Sequence, residues 1–449
     1  MRRPEVIIIG AGAAGLAAAA KLSAAGVRTL VLEARTRLGG RICTVADVIF
    51  PVPVEMGAEF IHGRPEATWR LVHEAGLMAY DIPFAHWRHA GGRLSRIENF
   101  EEAIAPVMRD LSRLRRDTTF AEYLRRSKSG RRFAESRRMA VDFVQGFDAA
   151  DPERISAKSL AKEQEGLGDV GGETQFRLVA GYGALIEHLR RKLDRQRVSV
   201  RLSTEVTEIR WSRGRVEVVC RAGSRNRRRS VTVRAGRAII TLPLGVLQRE
   251  AETAGAVRFV PDIASHRRAC TRLASGPIVK VIAKFREAFW ETREAARAVH
   301  ATDELREAVF LHDTGAAFPT WWTTRPLRTS VLTGWAGGPI AARLSGRSKS
   351  EIVTTAIDSL ASLFRRRAST IEPLIERMHV TDWEADPFAR GAYSYELIGG
   401  AAARRFLAEP IDRTLFFAGE ATDTKGQAST VAGAIASGER AAEEVIAAR

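Results

Sequence analysis

The run EVIIIGAGAAGLAAAAKL, from Glu5 to Leu22, limits the possible folds of this chain more than any other stretch. Val6–Ile9 is β-branched and apolar at every position, as a strand buried on both faces of a parallel sheet must be. Gly10, Gly12 and Gly15 follow in GxGxxG spacing. The first glycine permits a tight turn, the second lets backbone approach a pyrophosphate, and the third lets the next helix lie close to the strand. The alanines after it are strong helix formers and small enough to pack tightly on a sheet. A helix starting there turns free N–H groups and a positive dipole end toward phosphates. A secretory signal is the competing reading, because MRR supplies a positive start. Glu5, the three glycines and Lys21 all break that pattern.

One GxGxxG is a weak signal, so its surroundings matter. VRTLVLE (Val27–Glu33) reads as a second strand ending in an acid. A carboxylate about 20 residues past the glycines accepts hydrogen bonds from adenosine ribose hydroxyls and disfavours a 2′-phosphate. Next comes ARTRLGGR, which adds Arg35, Gly39, Gly40 and Arg41 to the expected cofactor-binding set. Two glycines and an arginine bring backbone and a guanidinium onto a pyrophosphate. No second GxGxxG follows a strand, which argues against a separate NADPH site.

At 449 residues the chain has room for two or three domains. Its net charge of +17 comes from 70 basic and 53 acidic residues. Such a balance suits nucleic acid or an anionic membrane surface, or simply an arginine-rich surface with no partner. From Arg109 to Arg138 the basic residues alternate with Asp110, Asp117, Glu122 and Glu135, the pattern of solvated helix faces. SRNRRRS (Ser224–Ser230) reads as a basic hairpin tip. Cys43, Cys220 and Cys270 are far apart and give neither a disulfide framework nor a metal motif, so a cytoplasmic, reducing setting and no metal are expected. No apolar run approaches the ~20 residues of a membrane span, so no transmembrane anchor is expected.

GxGxxG, then an acid, then GGR resembles the start of the flavin-containing amine oxidase superfamily. That group includes monoamine oxidases, polyamine oxidases, L-amino-acid oxidases and histone lysine demethylases. The resemblance continues through VEMGAEFIHG (Val54–Gly63), LSTEVTEI (Leu202–Ile209), AIITLPLGVL (Ala238–Leu247), GPIVKVIAKF (Gly276–Phe285), DWEADPFARGAYSY (Asp382–Tyr395) and the C-terminal run from Phe416 to Ala442. It implies FAD held without a covalent link, since Ala392 stands where monoamine oxidases carry the linking cysteine. It also implies hydride transfer from the carbon beside an amine nitrogen to flavin N5. Imine hydrolysis to an aldehyde and reoxidation by O2 to hydrogen peroxide would follow.

The same resemblance assigns roles to single residues. Lys280, in an apolar strand, would hold a water near flavin N5, and burial would suit it to proton shuttling. Val206 would meet adenine through its backbone, and Glu420 would bind ribityl hydroxyls. Trp383 would pack near the flavin and Tyr393 would form one wall of an aromatic cage. Thr430 occupies the place of a second cage tyrosine, and the helix after it would aim N–H groups, Val431 among them, at the flavin N1–C2=O edge. His62 would hydrogen-bond an amine nitrogen. Phe60 follows Glu59 where amino-acid oxidases carry a carboxylate-binding arginine. With His62 and Ser429-Thr430, this draws the chain nearest to polyamine oxidases. Glu163 or Glu165, in KEQEGLGD, would receive a distal ammonium or lie in a solvated loop.

The expected architecture is α/β: a discontinuous Rossmann-like FAD-binding domain plus an α+β substrate domain with a mixed sheet. The FAD-binding parts are placed at residues 1–85, 175–260 and 376–449. A helical substrate part is placed at 86–174, and a sheet-and-helix part at 261–375. Partners expected are a small amine and O2, with no dedicated nucleic-acid module and the oligomeric state open. Two other functions remain at this level: a flavin desaturase or isomerase working at a membrane surface, and a flavin-binding protein without turnover.

Overall fold

The computed structural model describes residues 3–223, 229–250 and 252–449, so most of the basic tip at 224–230 lies outside the described residues. Strands from widely separated parts of the chain form one parallel sheet. Its order is Val198–Arg201, Thr29–Leu32, Val6–Ile9, Arg237–Ile240 and Leu415–Phe417. The period-two alternation of a strand sends neighbouring side chains to opposite faces. Val6, Ile8, Val31 and Ile239 therefore join a core with the helices Ala13–Ala24, Gly183–Arg191 and Val431–Ala447. Ile7, Ile9, Leu30, Leu32 and Ile240 face the other way, against the strands Thr204–Ser212 and Arg215–Ala222 of a second sheet.

Two glycines set how closely the helices approach. A Cβ on Gly15 would lie 2.0 Å from the Gly10 carbonyl oxygen, and one on Gly438 would lie 2.1 Å from that of Ala14. The first contact presses helix on strand, and the second presses the C-terminal helix on the first helix. Gly10 has φ +106°, a conformation open to glycine and few others.

The other sheet has seven strands, in the order Ile375–Asp382, Ile278–Phe285, Val331–Gly337, Thr320–Thr323, Phe310–Asp313, His86–Ala90 and Arg93–Ile97. It is mixed, because Phe310–Asp313 pairs in parallel with His86–Ala90 while the other neighbours are antiparallel. Val279, Val281, Ala283 and Phe285 point into a core with the helix Lys349–Leu363. Lys280 alternates to the opposite face.

The segment from 86 does not open as helix. It opens as the hairpin His86–Ala90 and Arg93–Ile97. Gly91 and Gly92 both have positive φ, +59° and +79°, which closes a two-residue turn whose twist matches its strands. Trp87 and Leu94 give the hairpin a buried face. Helices follow at Phe100–Met108, Phe120–Ser127, Ala134–Gly146 and Ala157–Gly168. Some of the charges in this segment are paired, as in Arg125 with Glu122 and Glu153, and Lys128 with Asp110. No described helix is long and apolar enough to cross a membrane.

Candidate active site

One continuous cavity of about 910 Å³ runs from the parallel sheet to the mixed sheet. At its first end the backbone of Gly10 and Gly12 meets that of Gly39 and Gly40, with Gly12 bridged to Gly39. A Cβ on Gly12 would meet nothing closer than 3.9 Å, so the cradle is open at that point. The helix Ala13–Ala24 starts there with no side-chain cap and no acid in its first turn. Its N–H groups and dipole are left for an anion. Glu33, 4% exposed, accepts hydrogen bonds from Ala11 N at 2.8 Å and Arg35 N at 2.9 Å, which fixes it at the cavity edge. Val206 lines the same end, beside a register shift in its strand. Gly15 alone of the expected cofactor residues does not line the cavity, because it is spent on helix–strand contact.

Three further arginine or carboxylate side chains in this set are held by protein partners. Arg35 is paired with Asp386 at 2.8 Å. Arg41 donates to Glu420 Oε1 at 2.9 Å and to the Ala392 carbonyl at 2.7 Å. The other Glu420 oxygen accepts from Ser394 Oγ at 2.7 Å. Burial alone would push the Glu420 carboxyl up. Arg41, Ser394 and Arg404 outweigh burial and hold it below the ordinary carboxylate range.

The middle of the cavity carries a buried cluster of charged side chains. Lys280 is 0% exposed, but no apolar shell surrounds its ammonium. Nζ donates to Glu59 Oε2 at 2.7 Å and approaches the Trp322 ring at 5.4 Å. The second Glu59 oxygen accepts from Arg177 Nε at 2.9 Å and Trp322 Nε1 at 3.0 Å. Burial favours the neutral Glu59 acid, yet Lys280 and Arg177 together hold it below its usual range. The sequence gives no sign of this clamp. Glu59, Arg177 and Trp322 come from three distant segments, and the pairing of Ile61–His62 with Gln175–Leu178 helps bring Arg177 across to Glu59.

Tyr393 and Trp383 line the cavity beside Lys280, with Trp383 fixed by a hydrogen bond from Nε1 to the Met56 carbonyl at 3.1 Å. The Tyr393 hydroxyl donates to the Phe147 carbonyl. Burial, then Asp148 and Glu163, push the Tyr393 phenol up, so it stays protonated. Thr430 also lines the cavity, but its hydroxyl caps the C-terminal helix: it accepts from Gly433 N at 3.1 Å and donates to Gln427 O at 2.7 Å. The helix begins at Val431 with no acid in its first turn, so its N-terminal N–H groups face the cavity without a competing anion.

The far wall carries aromatic rings and buried histidines. The His62 ring packs edge-on to Phe147 at 5.1 Å, and its Nδ1 has no partner among the described residues. Burial lowers its pKa to about 4. His86 and His312 stack, and Nδ1 of one lies 3.0 Å from Nε2 of the other. Burial lowers His312 to about 4 and His86 well below the ordinary value.

A family profile described as flavin containing amine oxidoreductase matches residues 13–446. The chain is 28% identical to human lysine-specific histone demethylase 2, over 99% of itself and 53% of that protein, so it spans about half of that relative's length. It is 29% identical to polyamine oxidase 4 of Oryza sativa subsp. japonica, over 98% of itself and 88% of that protein. Its fold matches putrescine oxidase bound to putrescine with a TM-score of 0.78, at 20% identity over 99% of both chains. It matches cyclohexylamine oxidase from Brevibacterium oxydans with a TM-score of 0.75, at 22% identity over 99% of this chain and 98% of that one.

Two outcomes follow from the buried charges. Glu59→Gln leaves Lys280 and Arg177 buried without their anion, and should cost about 3–5 kcal/mol of stability. Chemical denaturation measures this; an unchanged midpoint would show that the clamp is not needed. The lowered pKa values of His62, His86 and His312 mean that the folded state refuses protons the unfolded chain accepts below about pH 6.5. Their contribution is intact above that value and is lost as pH falls toward 4. The denaturation midpoint of a His62→Phe/His312→Phe double variant should fall less over that window than that of the wild type.

Proposed function

The chain belongs to the flavin-containing amine oxidoreductases, and from that premise we propose that it oxidises a small amine at the carbon beside nitrogen. The carrying observation is that the dinucleotide cradle at Gly10, Gly12 and Glu33 opens, through one cavity, onto Lys280, Tyr393 and Trp383. Those residues fit FAD. Glu33 and Val206 would hold the adenosine, Gly12 and its helix the phosphates, and Glu420 the ribityl chain, while Val431 and Lys280 would flank the ring. When bound, FAD would supply the two-electron acceptor for a hydride from the substrate carbon, with O2 as the final acceptor giving hydrogen peroxide.

The protein's part is to bind, orient and control protons. A cation–π surface at Tyr393 and Trp383 draws the amine in. Neutral His62 can accept a hydrogen bond from a substrate N–H, or donate one to the lone pair of a neutral amine. Lys280 can exchange a proton with a bound water, and Glu59 holds its ammonium in one place. The substrate imine then adds water and breaks its C–N bond, giving an aldehyde and an amine. Ala392, in place of a linking cysteine, supports non-covalent cofactor.

A polyamine-type substrate is favoured over an amino acid. Phe60 offers no carboxylate partner, and Arg177, the buried guanidinium beside it, is already neutralised by Glu59. The named polyamine oxidases among the relatives point the same way.

The test is anaerobic mixing of purified holoprotein with spermine, spermidine, acetylated polyamines, aromatic monoamines and L-amino acids. Loss of flavin absorbance with polyamines, followed by recovery and peroxide on admitting air, is expected. FAD bound but reduced by none of these amines would contradict the proposal.

A further inference from the structure

A second, smaller cavity of about 50 Å³ reaches the Lys280 cluster from the other side. Its floor carries Glu55, Tyr80 and Arg177, and of its wall residues only Glu59 also lines the large cavity. Val179 and Leu327 stand at its rim, and both are exposed. The small cavity is therefore a well that runs from the surface to the carboxylate holding the Lys280 ammonium. Ile282, in its wall, lies two residues past Lys280 and so on the same face of the sheet. The floor is polar, and the well has room for about three waters.

Glu55 has no part in the chemistry above. It sits opposite Thr44 where the short strands Thr44–Val45 and Val54–Glu55 pair. Gly57 then lets the chain press on Arg41, whose carbonyl oxygen would lie 1.8 Å from a Cβ there, and Glu59 follows. Tyr80 and Arg177 are register partners in the strands Ala79–Asp81 and Gln175–Leu178. The Glu55 carboxyl accepts from Thr44 Oγ1 at 2.8 Å and from Tyr182 N at 2.6 Å. A carboxylate offers about four lone-pair sites, so neither bond closes the group to water. The charges that reach it are Lys280 from the mixed sheet and Glu59 from its own loop, and Arg177 shares the floor. Burial pushes Glu55 up to about 7, against Thr44, Tyr182 and Lys280, and Glu59 adds to the rise. The Tyr182 and Tyr80 phenols and the Cys43 thiol around it are pushed up by burial and stay protonated.

Amine oxidation needs a place to keep a proton. At neutral pH an alkylamine is mostly an ammonium, and its nitrogen must lose a proton before a hydride leaves the neighbouring carbon. Reduction of O2 to hydrogen peroxide takes two electrons and two protons, and the hydride brings both electrons and one proton. One proton is thus released early and one is taken up late, and the two cancel. We propose that the small well is a proton port behind Lys280, in which Glu55 holds that proton and exchanges it with solvent. This rests on the amine-oxidase reading above and adds a proton-holding residue to it. Lys280 Nζ gives a proton to the reduced oxygen, and the Glu55 carboxyl replaces it through water in the well and the Glu59 carboxylate.

The experiment uses holoprotein reduced by dithionite without air, then mixed with oxygenated buffer while flavin absorbance is followed. Wild type should reoxidise more slowly as pH rises through about 7, where Glu55 loses its proton. Glu55→Gln should be about 100-fold slower below that pH, the low end for loss of a general acid, and flat with pH. Formate, small enough to enter the well, should restore much of the rate, and pivalate should not. Val179→Trp plugs the rim and tests the port even if Glu55→Gln does not fold. After a jump at mixing from about pH 6 to 9, wild type should take the rate of the new pH and Val179→Trp that of the old. A pH dependence that survives Glu55→Gln, a uniform slowing that formate does not relieve, or a plugged variant that follows the new pH overturns the proposal. Dithionite takes the amine out of the test. An amine panel that leaves the flavin oxidised would defeat the amine-oxidase reading and leave the port standing.

Discussion

Glu420 is a carboxylate buried in the protein interior, and its ion pair with Arg41 is the interaction on which the site depends most. An unpaired buried charge is too costly to keep, so each must find a partner wherever the chain can supply one. Here the partners are remote in sequence. Arg41 follows the second strand of the parallel sheet, while Glu420 follows the last. Ser394 and Arg404 bring in the strand Tyr393–Glu396 and the helix Gly400–Ala408. On the facing sheet, Glu59 gathers Lys280, Arg177 and Trp322 in the same way. Local segments alone would leave each of these groups unpaired. The two clusters thereby fix the walls between which the cavity lies.

Much of the parallel sheet was legible in the sequence because its signals are local. VIII, the three glycines and the acid at Glu33 each dictate a short piece of backbone. The hairpin at His86–Ile97 was equally local, with Gly91-Gly92 between alternating strands, but the abundant arginines of the following segment drew the whole region toward a helical reading. The clamp on Lys280 was not legible. A lysine in an apolar strand signals burial but not its counter-ion, and Glu59 carries no mark that sets it apart from a surface acid. Thr430 shows a subtler gap: its place near the cavity followed from resemblance, while its hydroxyl's commitment to the helix cap follows from backbone geometry.

A chain of net charge +17 is a poor long-range attractor of polycations. Fields from surface charge are screened over about 8 Å at physiological ionic strength, whereas charges lining a low-dielectric cavity are not.

The most direct measurement is a crystal structure of the purified holoprotein, read for which residues touch the dinucleotide. The account predicts adenosine at Glu33 and Val206, phosphates at Gly12 and the start of its helix, and the ring within the chamber bounded by Lys280, Tyr393 and Val431. A ring located outside that chamber, or a cofactor held by other residues, would contradict it.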